Sequence, residues 1–399
     1  MSVLTLNAGS SSIRFALHEE SDPRARRLDG RIERIGLPGA RLILAEAAGA
    51  PHEQPLGARP ADFGTAIARV LDTLAPHLSQ APLTAVGHRV VHGMRRSSPA
   101  RITRELLGEL EALVPFDPEH MPGEIELMRA TLERWSELPQ VACFDTAFHR
   151  TLPRVAVQLP IPRHYEAEGV QRYGFHGLSY TYLMEEIERL DGLPAARGRI
   201  VLAHLGNGAS LAAVRDGVSI DTSMSFTPTG GIPMSTRSGD LDPGVVSFLM
   251  RHESMDAARL ERLVSHESGL LGLSETSSDV RDLLAREGTD VRAAEALELF
   301  CYQSRKCIGA FAAALGGLEA LVFAGGIGEN AASVRTRICT GLGFLGLEID
   351  AARNAAHAAV ISSEASGVRV HVIRTDEASV IARQTLRHLG RLNPSVRAP

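Results

Sequence analysis

Lysine is almost absent: Lys306 is the only one, so 41 of the 42 basic residues in this 399-residue chain are arginines. Lys306 lies between Arg305 and Cys307, so the chain has no Gly-x4-Gly-Lys-Ser/Thr segment and a Walker-type phosphate loop is excluded. Any nucleotide must be held in another way. Cysteine is scarce as well. Cys143, Cys301, Cys307 and Cys339 form no CxxC pair and no metal-ligand spacing with histidine, which argues against a zinc site and a disulfide framework. There is no spanning-length apolar run, since the longest, Cys307 to Gly326, is broken by Glu319 and glycines and reads as a buried helix followed by a buried strand. Met1 to Leu6 lacks the basic start of a signal peptide, so a cytoplasmic location is expected. With 42 basic against 47 acidic residues the net charge is -5 and no basic block occurs. Neither nucleic acid nor a membrane surface is expected as a partner, and a small molecule is.

The chain is more than twice the ~150 residues typical of one domain, so two domains sharing a cleft are expected. Apolar residues make up 44% and charged residues 22%, values of a chain globular throughout. Val3 to Leu17 is an apolar run, a Gly/Ser turn and a second apolar-rich run, and Val201 to Val214 repeats that plan half a chain later. Gly9 aligns with Gly206 and Asn7 with His204, while Ser12 and Ser210 are one residue out of phase. Each copy reads as strand, small-residue turn, strand, and the repeat implies a duplicated domain. Phe63, Ile67, Val70, Leu71, Leu74 and Leu78 form one helical face, and Leu106, Leu107, Leu110, Leu113 and Val114 another. Leu138 to Phe144 and Leu321 to Ala324 read as buried strands, and Ala378 to Leu389 as a helix stopped at Gly390. Strands and helices in alternation give an α/β class.

Both turns offer backbone N–H groups and hydroxyls to a phosphate. A lone Gly/Ser turn is usually a plain hairpin, but two at equivalent places favour binding. The segment Gly326 to Ala331 follows a predicted strand and fits GxGxxA with Glu348 about 20 residues on, the layout of a dinucleotide site and the basis for a nicotinamide oxidoreductase as an alternative. Asp221 to Pro243 is too rich in Gly, Pro and hydroxyls for a helix, and Arg237 within it is placed to meet an anion. Arg89, among β-branched and small residues, requires an anion, internal or substrate. Asp145 ends an apolar strand, a location shared by catalytic acids and simple helix caps. His176 lies between Gly174 and Gly177, where the backbone can be approached closely. Glu377 is either a first-turn helix acid or a hard-cation ligand.

Together these segments closely resemble the acetate kinase family, within the acetate and sugar kinase and actin-like ATPase superfamily. The matching stretches begin at Asn7 (Asn-Ala-Gly-Ser-Ser-Ser), Gly87 (Gly-His-Arg-Val-Val-His-Gly), Phe144 (Phe-Asp-Thr-Ala-Phe-His), Tyr173 (Tyr-Gly-Phe-His-Gly), His204 (His-Leu-Gly-Asn-Gly), Thr236 (Thr-Arg-Ser-Gly-Asp), Ser268 (Ser-Gly-Leu-Leu-Gly), Gly326 (Gly-Ile-Gly-Glu-Asn) and Thr375 (Thr-Asp-Glu). The resemblance implies duplicated actin-like, ribonuclease H-like domains flanking a nucleotide cleft. Residues 1–145 plus 377–399 would form the first, with a returning C-terminal helix, and 146–376 the second, on the nucleotide and dimer side. It implies a homodimer that reversibly transfers the ATP γ-phosphoryl group to acetate, giving acetyl phosphate and ADP. By motif match, Asn7 and Glu377 would hold Mg²⁺, with Mn²⁺ as a substitute. Arg14, His204, Leu205, Gly206, Asn207, Gly208, Asp279, Val280, Arg281, Gly326, Ile327, Gly328, Glu329 and Asn330 would line the ATP site. Arg89, Val91, Phe175 and Pro228 would bind the carboxylate substrate, and Asp145, His176 and Arg237 would be catalytic.

The departures concern the substrate. Where the family usually has Ala-Pro-Leu-His-Asn-Pro the chain has Asp117-Pro-Glu-His-Met-Pro122, so Glu119 and Met121 alter the pocket and keep propionate or another short acid open as the acceptor. Leu178 and Tyr180 replace the family's threonine and histidine after the Gly-Phe-His-Gly run, Ser235 replaces a glycine, and Arg14 a lysine. An actin-like ATPase that assembles into filaments would share the fold without needing Arg89 and Arg237.

Overall fold

The computed structural model describes residues 1–9, 11–46, 49–57 and 61–392. Ser10, at the tip of the first predicted turn, lies outside them, as do residues 393–399 of the expected first domain. The chain divides into two compact units, Met1–Ala147 with Asp376–Pro399, and Phe148–Thr375.

In the first unit β1 (Ser2–Gly9), β2 (Ser12–Glu19) and β3 (Arg26–Glu33) form an antiparallel meander. β4 (Arg41–Glu46) and β5 (His52–Pro55) extend it. On the other side of β1 run the parallel strands β6 (Leu83–Val90) and β8 (Gln140–Phe144), with the short β7 (Ala100–Arg101) at the edge. The sheet order is β5-β4-β3-β2-β1-β6-β8-β7. The second unit builds β9 (Ile200–Leu205), β10 (Ala209–Arg215), β11 (Val218–Thr222), β12 (Ala320–Ala324) and β13 (Arg369–Val372) into the order β11-β10-β9-β12-β13. β9 pairs antiparallel with β10 and parallel with β12. The series β3-β2-β1-β6-β8 and β11-β10-β9-β12-β13 are therefore the same arrangement twice, three antiparallel strands followed by two parallel ones. This is the actin-like, ribonuclease H-like fold in duplicate.

The helices form where the apolar spacing predicts them, with ends set by local chemistry. Asp62 accepts a hydrogen bond from Thr65 N and starts the helix Phe63–Gln80, which buries Ala66, Ile67, Val70 and Leu74 against the first sheet. The next helix, Arg104–Ala112, stops short of Val114, because Pro115 lacks an N–H and the chain turns into a 3-10 segment. β8 begins at Gln140 rather than Leu138, just past Pro139. The helix Val291–Leu315 and β12 divide the long apolar stretch as predicted. The C-terminal helix, Glu377–His388, packs Ala382 and Leu386 onto Val3 and Ala85. Its close approach requires Gly87, where a Cβ would stand 2.3 Å from Thr385 Oγ1 and 2.6 Å from an Ile381 methyl.

Candidate active site

The first unit gathers its charged residues at the ends of neighbouring parallel strands. Asn7 is near the end of β1, Arg89 near the end of β6, and Asp145 directly follows β8, while Glu377 opens the C-terminal helix. Arg89 donates from Nε and Nη2 to Asp145 Oδ2 at 3.0 and 2.6 Å, and from Nη1 to Glu124 Oε1 at 3.3 Å. Its side chain is 12% exposed and those of both acids 1%, so the anion that buried Arg89 requires is internal. Glu124 Oε2 also accepts from Val91 N at 2.9 Å, which ties a proposed pocket residue to the same network. Burial pushes the Glu124 carboxyl up to about 8, only partly offset by Arg89 and the Val91 amide.

Glu377 is buried, and desolvation followed by the Asp145 charge raises its pKa against the opposing pull of Arg89 and Arg14. Asn7 Nδ2 donates to Glu377 Oε2 at 3.1 Å. Two mutually repelling carboxylates beside an amide form an all-oxygen donor set with excess negative charge, which fits a hard divalent cation such as Mg²⁺ and not a soft metal. Among the described residues no group of three or more His, Cys, Asp or Glu side chains forms a metal shell. Such an ion would draw its remaining ligands from water and phosphate oxygens.

The second unit assembles the glycine turns. β9 and β12 run parallel with Ala324 opposite His204, so the turn after β9 and the one-turn helix Gly325–Asn330 lie side by side. A Cβ on Gly206 would be 3.8 Å from Gly326 N. Glu329 Oε1 accepts from Gly325 N and Thr375 N at 3.0 and 3.2 Å and fixes that helix from below. Asp279 caps the helix Val280–Arg286, and its carboxylate binds the Arg281 backbone and guanidinium. After β11 the Asp221–Pro243 segment holds no helix or strand until Pro243 opens the next helix. It is ordered by its own hydrogen bonds, Met234 N to Arg237 O at 3.0 Å and Gly231 N to Asp240 Oδ1 at 2.8 Å, and it presents Arg237, whose Nη1 touches Pro228 O at 3.3 Å. His176 Nε2 and Arg237 Nη1 each lie 3.3 Å from where a Gly208 Cβ would be, so both converge on the same small residue. The His176 ring stacks on His204 with centroids 4.3 Å apart.

Each predicted site residue thus falls into one of two sets. Asn7, Arg14, Arg89, Val91, Asp145 and Glu377 belong to the first unit, and the histidines, glycine turns, Phe175, Pro228, Asp279 to Arg281 and Arg237 to the second. Glu119 sits half-buried in the turn before the helix Met121–Arg134, while Met121 and Glu124 on that helix are buried. Glu124 escaped the sequence reading, although an acid at helical spacing among Met121, Ile125, Leu127 and Met128 was a usable signal. Arg335 was also missed: fully buried, it donates to Gly328 O at 2.8 Å and Glu329 O at 3.0 Å and holds the end of the glycine helix. The dinucleotide-fingerprint reading is corrected. β12 and its glycine turn belong to a sheet whose other half is an antiparallel meander, not to a parallel dinucleotide-binding sheet, and Glu348 is exposed.

The duplicated fold, with Arg89 and acids at the strand ends of the first unit and paired glycine turns beside His176 and Arg237 in the second, is that of an ATP-using phosphotransferase whose acceptor is a carboxyl group. The chain belongs to the acetokinase family, whose model matches residues 2–383. It is 45% identical over 395 residues to an acetate kinase of Methylocella silvestris, covering 96% of this chain and 97% of that one. It is 42% identical to a propionate kinase of Citrobacter rodentium, covering 96% of each. Among solved structures it resembles an acetate kinase of Porphyromonas gingivalis with a TM-score of 0.86 and 37% identity, covering 97% of this chain and 99% of that one.

Proposed function

We propose that the protein is an acetate kinase, converting acetate and ATP reversibly into acetyl phosphate and ADP, with propionate as a secondary acceptor. The observation that carries the reading is the pair of half-buried arginines, Arg89 held on Asp145 at 2.6 Å and Arg237 on Pro228 O at 3.3 Å. A carboxylate oxygen attacks the γ-phosphorus, and the bond from that phosphorus to the β,γ-bridging oxygen breaks. Acetate is already ionised at neutral pH, so no base need remove a proton, and positioning and charge stabilisation dominate. Arg89 holds the substrate carboxylate, with Val91, Phe175 and Pro228 bounding its methyl group. His176 and Arg237 stabilise the three equatorial oxygens. Asp145 fixes Arg89 and orients the cation's surroundings. Asn7 and Glu377 would hold Mg²⁺, which would neutralise phosphate charge.

The second unit supplies the ATP site through His204 to Gly208, Asp279 to Arg281 and Gly326 to Asn330, with Arg14 contributed by the first. It also supplies the surface of a homodimer. The helix Pro243–His252 has no buried residue although it carries Val245, Phe248 and Leu249, and Phe248 is 55% exposed, a face suited to a second copy. A cytoplasmic location accords with an ATP-dependent reaction and four free cysteines.

Carboxylate-dependent ADP release, measured as kcat/KM for acetate, propionate and butyrate, tests the assignment. Acetate is expected to give the highest value. A higher value for propionate would reassign the substrate, and ADP release indifferent to every acid would return an actin-like ATPase.

A further inference from the structure

Tyr180 stands where the resemblance leads one to expect histidine, and it is fully buried. Its backbone N–H donates to His176 O at 3.0 Å in the first turn of the helix Gly177–Asp191. Its hydroxyl lies 2.5 Å from Ser210 Oγ on β10, and Ser210 Oγ lies 2.8 Å from His176 Nδ1. The phenol ring is held by Phe148 and His149, with centroids 5.7 and 5.6 Å away. His176 itself has φ +61°, a left-handed conformation costly for a non-glycine residue, and it makes no side-chain cap to its own helix. Its ring is instead fixed by Ser210 on one edge and His204 on one face.

We propose that Tyr180 is a positioning residue that, through Ser210, fixes the tautomer and orientation of His176 and so keeps a proton on Nε2. The phenol is the stronger acid of the two hydroxyls and donates to Ser210 Oγ. Ser210 Oγ then donates a hydrogen bond to Nδ1, which accepts it as the unprotonated ring nitrogen, and the imidazole proton sits on Nε2. Nε2 is the atom that shares the space beside Gly208 with Arg237 Nη1, where a donor meets an anion. The inference rests on the proposed role of His176 at the transferring phosphoryl group.

The test uses Tyr180→Phe, Ser210→Ala and the double variant in the full-length protein, with long-range ¹⁵N NMR of the His176 ring beside steady-state kinetics. Wild type is expected to show a protonated Nε2 and an unprotonated Nδ1 near neutral pH, and Tyr180→Phe a mixture of tautomers. Both single variants are expected to lose about tenfold in kcat with KM for ATP and acetate within about twofold, and the double variant to lose no more than the worse single one. Tyr180→His, which keeps a donor, is expected to recover most of the turnover even where Tyr180→Phe folds poorly. An unchanged His176 tautomer in folded Tyr180→Phe, or additive losses, would overturn the proposal. His176→Ala with wild-type turnover would overturn the role of His176 alone, because the tautomer readout reports the Tyr180–Ser210 pair independently of catalysis.

Discussion

Arg89 is a guanidinium paired with Asp145 and Glu124 before any substrate arrives, so the acceptor carboxylate competes with acids already in place. Truncating it to alanine removes the guanidinium that both acids contact and, with it, the carboxylate anchor. Arg89→Ala is expected to raise KM for acetate at least tenfold with a smaller effect on KM for ATP. Arg237→Ala is expected to lower kcat by about 10²-fold or more, in line with losing one donor to a transition-state anion. Equal losses of both parameters in both variants would contradict these separate roles. Glu124 makes the competition pH-dependent. Its carboxyl titrates near pH 8 among Arg89, the Val91 amide, Asp117 and Asp145. Below that pH it is mostly neutral, and as pH rises through it a new negative charge forms beside Arg89. KM for acetate is therefore expected to rise between pH 7 and 9, and Glu124→Gln to flatten the rise. A flat wild-type profile would show that Glu124 does not tune the site. Arg89 was legible as a charge among β-branched and small residues, and Asp145 as the acid that ends an apolar run. Glu124 was legible only through its spacing among Met121, Ile125, Leu127 and Met128, since a lone acid on a helix otherwise reads as a solvated face.

At the level of elements, the C-terminal helix returns to the first sheet only because β6 carries Gly87 beneath Ile381 and Thr385. Gly87→Ala places a methyl inside both contacts and is expected to cost about 1–3 kcal/mol, read as a lower urea midpoint with an unchanged slope. Because that helix bears Glu377, turnover at saturating ATP should fall as well, and wild-type stability would contradict the close packing. The apolar spacing displayed Phe63 to Gln80, β8, β12 and this helix to within a few residues, because each buries one face or both. It displayed less well the ends set by Pro115 and Pro139. The ordered Asp221–Pro243 segment was legible only as non-helical, since its shape comes from hydrogen bonds between residues far apart along it, such as Gly231 to Asp240.

For the molecule as a whole, the Val3–Leu17 and Val201–Val214 repeat betrayed the duplication, yet not the complete strand order, which needs the late strands β12 and β13 to come back beside β9. The bare helix Pro243–His252 carries the expectation of a homodimer. Phe248→Asp is expected to yield a monomer by sedimentation velocity, and a wild-type protein that sediments as a monomer would remove that surface from the assembly. The most direct test of the chemistry is hydroxylamine trapping of the product formed from Mg-ATP and acetate by the purified protein. Acetyl hydroxamate accumulating in step with ADP, and about 10²-fold or more slower in Arg237→Ala, is the predicted result. ADP formed without hydroxamate from any short carboxylate would contradict acyl-phosphate synthesis.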